Sequence, residues 1–281
     1  MRHRRHSKPK WFEMTSILQI LNRIIARVTH IARHGRYSAT AKTERFLRRV
    51  ARMKMNPSEA RQDVFSEIYS QKLWGREQHS RFFSGVGSRG EAAATYAEHM
   101  ADLLRRHMNE LGRPITIVDL GCGDFAVGRS LLEQLPGVTY IGCDIVPELI
   151  DFNNKNHGKS GVRFQTLDIV SEELPSGDVC LVRQVLQHLS NADILAFLRR
   201  QKFPVLYVTE GQPSEITGPP NPDKVASAHV RFDWRTGRGR GIELDKPPFN
   251  YLTSEVFRAF SPPYEIIVTH RVMRPATDSP N

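Results

Sequence analysis

The stretch "VDLGCGDFAVGR", residues 118–129, decides how this chain folds. Its residues 121–126 satisfy the G-x-G-x-x-G/A pattern, in which a glycine turn leads from a strand into a helix and brings the backbone close to a nucleotide. The preceding run "ITIVDL" is apolar and β-branched, which indicates a buried parallel strand. By itself the pattern fits a dinucleotide and a smaller nucleoside equally well, so its surroundings have to decide between them.

Strands and helices alternate along the rest of the chain. Four further segments have the pattern of strands: "VTYIGCDI" (138–145), "VRFQTLDI" (162–169), "DVCLVRQ" (178–184) and "PVLYVTEG" (204–211). Helical segments between them predict a doubly wound α/β sheet. For the end of the chain we predict a short helix over "SEVFRAFS" (254–261). An antiparallel hairpin of "RGIELD" (240–245) with "YEIIVTHRV" (264–272) would complete seven strands.

Acidic residues near the expected strand ends separate the two ligand classes. Asp119 and Asp124 flank the glycine turn, where a pyrophosphate needs bare amides and a positive helix terminus. Carboxylates there would repel a pyrophosphate, but they suit the α-ammonium and sulfonium charges of S-adenosylmethionine (SAM). Asp168 is placed to accept from the adenine amino group, whereas Asp144, 21 residues beyond Gly123, is placed to accept both ribose hydroxyls and fits NAD and SAM equally well.

Four segments, in this order, resemble the motifs of the class I SAM-dependent methyltransferase family over residues 90–273. "VDLGCGDFAVG" is similar to the first motif, "YIGCDI" to the ribose-binding acid, "LDI" to the adenine-side acid and "DVCLVRQVLQHLS" to the fourth-strand segment. The resemblance implies a Rossmann-like seven-stranded sheet, an enzyme, and SAM as the cofactor. The cofactor-binding residues that it implies are Asp119, Gly121, Gly123, Asp124, Asp144, Ile145 and Asp168.

The segment 63–90, "DVFSEIYSQKLWGREQHSRFFSGVGSRG", resembles a prelude found in a poorly characterised bacterial subgroup of this family. Gly-Ser turns with a neighbouring aromatic residue often cover the cofactor as a lid. We therefore predict that Ser88 reaches the methionine carboxylate of SAM. The alternative is an ordinary glycine-rich loop before a helix.

The residues after the fourth strand bear on the acceptor and on metal dependence. Nucleobase amino-methyltransferases have an acid or Asn followed by Pro-Pro-aromatic there, and this chain lacks that site. Metal-dependent relatives have E-x-x-E-H, where this chain has Gln184, Gln187 and His188. Amides are poor ligands for a hard cation, so we predict no metal. The remaining class is transfer to oxygen or nitrogen of a small molecule, such as a sugar or a glycan precursor, with acceptor selectivity in the Pro- and Gly-rich insertion 211–241.

Three side chains are candidates for the chemistry of methyl transfer. His188, just beyond the fourth strand, and His229, in the insertion, could remove the acceptor proton because histidine titrates near neutral pH. The alternative for His188 is that it packs beneath the loop and donates to a backbone carbonyl, and for His229 that it is solvated. Arg183 could hold an anionic acceptor through its planar fork.

The positive charge of the chain is concentrated at its N-terminus. The formal net charge is +10, and residues 1–55 hold 15 Lys/Arg against two acids. We therefore divide the chain into a basic amphipathic extension, 1–55, and a methyltransferase domain, 56–281. Helical spacing of apolar residues over 16–34 allows contact with an anionic membrane, organelle targeting or contact with nucleic acid. A poorly ordered extension is the alternative.

The three cysteines are isolated, which suggests neither a disulfide framework nor a zinc cluster and favours a reducing, cytoplasmic setting. Two other functions stay open at this point. One is a SAM-binding pseudoenzyme or scaffold tethered through the basic N-terminal helix. The other is an RNA methyltransferase.

Overall fold

The structure is a computed structural model that describes residues 37–78, 80–263 and 265–273. The helix predicted over residues 16–34, with its proposed membrane and nucleic-acid contacts, lies outside the described residues. None of the helices in the described part of the chain is long and apolar enough to cross a bilayer.

The chain divides into two compact units, Met1–Asn56 and Pro57–Asn281. In the first unit, helix α1 spans Tyr37–Arg52 and has two arginines in its last turn. Basic side chains at this end interact favourably with the partial negative charge of the helix C-terminus. The exposed Arg48–Glu44 pair, at 3.1 Å, adds one i,i+4 contact to the same helix.

The second unit consists of alternating strands and helices. Its helices are α2 (Pro57–Ser70), α3 (Gly90–Leu111), α4 (Ala126–Glu133), α5 (Pro147–His157) and α6 (Asn191–Arg200), with single 3₁₀ turns at Val86–Ser88 and Leu186–His188. Its strands are β1 (Thr116–Leu120), β2 (Thr139–Asp144), β3 (Val162–Thr166), β4 (Val179–Arg183), β5 (Val205–Pro213), β6 (Glu215–Ile216), β7 (Arg238–Gly239), β8 (Leu252–Ser261) and β9 (Glu265–Met273). Local signals explain several of these ends. Pro147 opens α5, and Gly112 ends α3 in the left-handed region.

Seven of these strands form one sheet in the order β3-β2-β1-β4-β5-β9-β8. The first five are parallel, and β9 runs antiparallel to both β5 and β8. The doubly wound α/β fold and its seven strands are therefore confirmed. The strand order reverses between β1 and β4, so the crevice for a ligand lies at the carboxyl ends of these two strands.

The prediction for the last elements was partly wrong. Residues 254–261 belong to strand β8, not to a helix, and 240–245 is not a strand of the sheet. The apolar residues Val256, Phe257 and Phe260 match helical spacing, but a bulge between Glu255 and Phe257 interrupts the strand alternation. The antiparallel hairpin that closes the sheet is thus formed by β8 and β9.

Helices cover both faces of the sheet. Along β1, Val118 and Leu120 face the core layer that includes α2 and α6, whereas Ile117 faces the layer that includes α3. Successive strand side chains point to opposite faces, so Asp119 lies on the same face as Ile117. This arrangement buries the parallel strands on both sides and leaves their carboxyl ends as the open edge.

Candidate cofactor and acceptor site

The glycine turn after β1 forms the floor of the site. Gly121 and Gly123 have φ angles of 81° and 55°, which favour glycine. A Cβ on Gly121 would lie 2.3 Å from Val185 Cγ2, and one on Gly123 would lie 2.4 Å from Ser84 Oγ. The turn therefore needs glycine at both positions, for backbone conformation and for space.

Asp144 ends strand β2 beside this turn. Its carboxylate accepts hydrogen bonds from the amides of Gly123 (3.1 Å) and Val146 (3.2 Å). Each carboxylate oxygen has a second lone pair, so acceptor capacity remains for a pair of ribose hydroxyls. Burial raises the pKa of Asp144 to about 6, although the backbone amides oppose the shift. Ile145 follows directly, at the mouth of the same edge.

Asp119 is held on the other side of the turn. The Tyr140 hydroxyl donates to its Oδ2 at 2.6 Å. Burial raises the pKa of Asp119 to about 6, while Tyr140 and Arg183 act in the opposite direction. The two carboxylates and the glycine turn make an acceptor-rich cradle, which fits the ribose and the cationic groups of SAM.

Asp124 connects the glycine turn to the segment before α3. Its Oδ2 accepts from the Ser84 amide (3.0 Å) and from Arg89 Nη2 (2.8 Å), and Arg89 also pairs with Glu77. In return, the Asp124 amide donates to Ser84 Oγ at 2.8 Å. The carboxylate of Asp124 is thus engaged in holding the prelude against the turn.

Ser84, and not Ser88, is bound to the glycine turn. The Ser88 hydroxyl donates to the Gly85 carbonyl within its own turn, at 2.7 Å. Ser84 instead contacts the glycine turn and lies 2.9 Å from the Tyr69 hydroxyl. Both serines belong to the same Gly-Ser stretch, and their spacing alone does not say which of them faces the turn. The proposed contact between Ser88 and a methionine carboxylate stays a prediction.

Asp168 lies just beyond β3 and is 2% exposed. Arg61 of α2 binds it through two nitrogens, Nη2–Oδ2 at 2.6 Å and Nε–Oδ1 at 3.3 Å, and Arg61 Nη1 also binds Asp193 at 3.0 Å. Burial raises the pKa of Asp168, but the bonds from Arg61 and Ser171 outweigh it and the net shift is downward. The carboxylate therefore ties α2 to the core, and its role toward adenine stays a prediction.

His188 has the surroundings of a packing residue. It is 7% exposed, its ring lies 5.1 Å from that of Trp74, and its Nδ1 is 3.2 Å from the Ser227 carbonyl oxygen. Burial, together with nearby Lys224, lowers its pKa to about 3, so the ring is neutral at physiological pH and a weak base. The environment matches the alternative in which His188 packs beneath the loop. His229, the other candidate base, is exposed.

Arg183, at the end of β4, is bound by the protein itself. Its Nη1 donates to Gln184 Oε1 at 3.1 Å and its Nη2 to the Gly87 carbonyl at 2.6 Å, while the guanidinium lies 4.9 Å from the centre of the Tyr96 ring. Each terminal nitrogen keeps a second N–H, and Nε has no hydrogen-bond partner among the described residues. The role of Arg183 in holding an anionic acceptor stays a prediction.

Glu210, in the second half of β5, was not identified from the sequence. It is 3% exposed and accepts from the amides of Val185 (3.2 Å), Leu186 (2.8 Å) and Gln187 (3.2 Å). Burial raises its pKa to about 8 despite these donors. Glu210 therefore shapes the turn after β4. Its one sequence signal is an acid at the end of an apolar strand.

Part of the chain is similar in sequence to known methyltransferases. Residues 118–202 match the family model described as a methyltransferase domain. Juvenile hormone acid O-methyltransferase of Bombyx mori is 32% identical over 89 residues, which cover 31% of this chain. The match spans only 30% of the length of that relative.

Two solved structures are similar in fold. The N-terminal domain of EvdMO1, with S-adenosylhomocysteine (SAH) bound, is 16% identical, covers 74% of this chain and 96% of its own, and has a TM-score of 0.44. The 1,6-didemethyltoxoflavin-N1-methyltransferase of Burkholderia thailandensis, bound to its namesake compound and SAH, is 18% identical over 75% of this chain and 86% of its own, with a TM-score of 0.45. The family match lies on β1 through α6, which carry the glycine turn and Asp144. Over residues 118–202 the chain is thus similar to a methyltransferase domain, in agreement with the family that its motifs resemble.

Proposed function

We propose that the chain is an enzyme that transfers a methyl group from SAM to an oxygen or nitrogen atom of a small molecule, without a metal. The observation that carries the proposal is the juxtaposition of two groups at one sheet edge. The glycine turn and Asp144 offer a nucleoside cradle at the ends of β1 and β2. The polar side chains of Arg183 and Gln184 lie at the end of the neighbouring strand β4.

A close contact between the glycine turn and the residues after β4 supports a shared reaction site. Val185, directly after β4, packs close to Gly121: a Cβ on Gly121 would lie 2.3 Å from Val185 Cγ2. When bound, SAM supplies an electrophilic methyl group together with its own leaving group. The protein then has to align the acceptor with that methyl and to accept one proton, and alignment alone can contribute a large part of the rate.

Amides at the metal positions support transfer without a metal. Gln184 and Gln187 stand where metal-dependent relatives have carboxylates, and His188 is buried beside Trp74. Among the residues that the structure describes, no group of three or more His, Cys, Asp or Glu could hold a metal ion.

The insertion 211–241 supports acceptor selection at this edge. Lys224 Nζ donates to the Gln187 carbonyl at 3.2 Å, and Arg231 Nη2 donates to the Leu189 carbonyl at 2.5 Å. From the other side, Trp74 Nε1 donates to the Ala228 carbonyl at 3.1 Å. The insertion is thus held against the turn after β4 and is suited to cover an acceptor there.

Label transfer tests this proposal. The full chain is incubated with methyl-labelled SAM and either a fractionated pool of small metabolites or total RNA, with and without EDTA. We expect label in low-mass products, in equal amount to the SAH formed, and no effect of EDTA. Loss of transfer in EDTA that Mg²⁺ restores would contradict the metal-free reaction. Label found only in RNA would favour the RNA methyltransferase, and SAM binding without any transfer would favour the scaffold.

A further inference from the structure

Two glycines make room for two polar side chains beside Arg183. A Cβ on Gly87 would lie 2.4 Å from Gln184 Oε1, and a Cβ on Gly211 would lie 1.9 Å from Glu265 Oε1. Neither glycine is among those with a positive φ angle, so a Cβ at either position would not strain the backbone but would displace the neighbouring side-chain end. The backbone at both positions therefore accommodates an amide and a carboxylate.

The amide and the carboxylate meet each other. Gln184 Nε2 donates to Glu265 Oε1 at 3.4 Å, and Gln184 Oε1 accepts from Arg183 Nη1. Gln184 itself has a φ angle of 54°, which is uncommon for a residue with a side chain. The backbone N–H of Gln184 donates to the Thr209 carbonyl at 2.7 Å and stabilises this conformation. We refer to these two side chains as the Gln184–Glu265 pair.

The topology brings this pair to the edge that carries the cofactor cradle. Because β9 runs antiparallel to β5, its first residue, Glu265, lies opposite Pro213 at the carboxyl end of β5. From there its side chain reaches back over Gly211 to the residue that follows β4. No short-range pattern predicts this meeting, because Gln184 and Glu265 are 81 residues apart.

The carboxylate of Glu265 keeps acceptor capacity. It receives one long hydrogen bond from Gln184 and is only partly buried, whereas an ionised carboxylate can accept about four. Burial raises the pKa of Glu265, and Arg183 and Gln184 limit the rise. A carboxylate of raised basicity that lies beside the end of β4 is suited to take a proton.

We propose that Glu265 accepts the proton of the methyl acceptor, and that the acceptor is a neutral or cationic molecule with a hydroxyl or amino group rather than a carboxylic acid. The inference rests on the proposed function. As the acceptor oxygen or nitrogen forms its bond to the methyl carbon, the bond from sulfur to that carbon breaks and SAH leaves. The acceptor proton moves to a carboxylate oxygen of Glu265, which becomes neutral. The water of the medium later removes that proton.

The substrate class follows from charge. A carboxylic acid is already ionised at neutral pH and needs no base, and its charge would face that of Glu265. Arg183, the neighbouring cation, already donates one N–H from each terminal nitrogen, to Gln184 and to the Gly87 carbonyl. A hydroxyl or amine, in contrast, donates to Glu265 and loses its proton there.

Three substitutions test the proposal in the full chain. Glu265→Gln removes the base with little change of shape. Gly211→Ala leaves the carboxylate in the chain but displaces it. Glu255→Gln is the matched control, since Glu255 is an exposed glutamate of β8 paired with Arg258. Each is assayed with labelled SAM and a panel of alcohols, phenols, amines and carboxylic acids, and SAM binding is measured by calorimetry.

We expect the wild type and Glu255→Gln to methylate hydroxyl or amino acceptors, and Glu265→Gln and Gly211→Ala to lose about 100-fold or more in kcat. SAM affinity should stay the same. A nitrophenol that is ionised at the assay pH should reduce the loss in Glu265→Gln to less than about tenfold, because it needs no base. A structural role would lower turnover of all acceptors equally.

Unchanged kcat in Glu265→Gln would overturn the proposal, as would methylation confined to carboxylic acids. A wild type that binds SAM but methylates none of the hydroxyl or amino acceptors also counts against it. Failure of the wild type to bind SAM is a separate result, because it removes the proposed function itself.

Discussion

Ser84 and Asp124 bind each other through both of their backbone amides: the Asp124 amide donates to Ser84 Oγ at 2.8 Å, and the Ser84 amide donates to Asp124 Oδ2 at 3.0 Å. This reciprocal pair joins the segment before α3 to the glycine turn. Its members are 40 residues apart. The position of the cofactor floor therefore depends on the prelude as well as on the sheet.

Replacement of the serine should weaken cofactor binding. Ser84→Ala removes the acceptor for the Asp124 amide and one side of the contact with Tyr69. A hydrogen bond of this kind is worth about 1 kcal/mol, so we expect SAM affinity to fall about fivefold. Calorimetric titration measures the change. The control is Ser70→Ala, an exposed serine whose hydroxyl donates to the Glu67 carbonyl at the end of α2. Equal affinities in both variants would mean that the pair does not support the floor.

The ion pair between Arg61 and Asp168 should support the stability of the second unit. The Arg61 and Asp168 side chains are only 10% and 2% exposed. Arg61→Gln leaves a buried carboxylate without its cation, and we expect a loss of about 3–5 kcal/mol in the free energy of unfolding, measured with denaturant. Arg113→Gln, which opens an exposed pair with Asp178, should change little. Similar effects of both variants would contradict the role given to the buried pair.

His188 should matter for stability more than for turnover. His188→Ala removes a buried ring that packs on Trp74, and a loss of about 2 kcal/mol would lower Tm by about 4–8 °C. Since its pKa of about 3 makes the ring a weak base, kcat at saturation should change only a few-fold. His229→Ala, at an exposed position, should leave Tm unchanged. A fall in kcat of about 100-fold with unchanged Tm would restore His188 as the base.

SAM affinity should depend on pH through the acids of the cradle. Burial raises the pKa of both Asp144 and Asp119 to about 6. The ionised forms accept stronger hydrogen bonds from ribose hydroxyls and attract the cofactor cations, so affinity should be full above pH 7 and fall as pH decreases through 6. One such group predicts a loss of about tenfold by pH 5. Asp144→Asn should weaken binding by about 1.5–3 kcal/mol and flatten the profile. An affinity that rises toward low pH would contradict the assignment.

The parts of the fold that the sequence predicts are those with local signals. β1 is an apolar β-branched run that ends in glycine, and α5 begins at Pro147 and ends before Gly158. β8 was mistaken for a helix because its bulge shifts the apolar residues into helical spacing, and its pairing with β9 is a tertiary effect.

In the candidate site too, the residues with local sequence signals were predicted and those that meet through tertiary packing were not. Gly121, Gly123 and Asp144 lie within one strand-turn-helix-strand unit, and their spacing predicts where they meet. Arg61 meets Asp168 across 107 residues, and Glu265 meets Gln184 across 81. Such contacts are made by packing between distant elements, and no short-range pattern carries them. The partners of Asp168 and the Gln184–Glu265 pair could therefore be found only in the structure.

Calorimetric titration of the full chain with SAM, SAH and NAD tests the central claim most directly. The glycine turn and Asp144 fit either nucleoside, and Asp119 beside them favours a sulfonium nucleoside over a pyrophosphate. We predict saturable heat with SAM and with SAH, and none with NAD. Saturable heat with NAD, or no heat with either sulfur nucleoside, would contradict it.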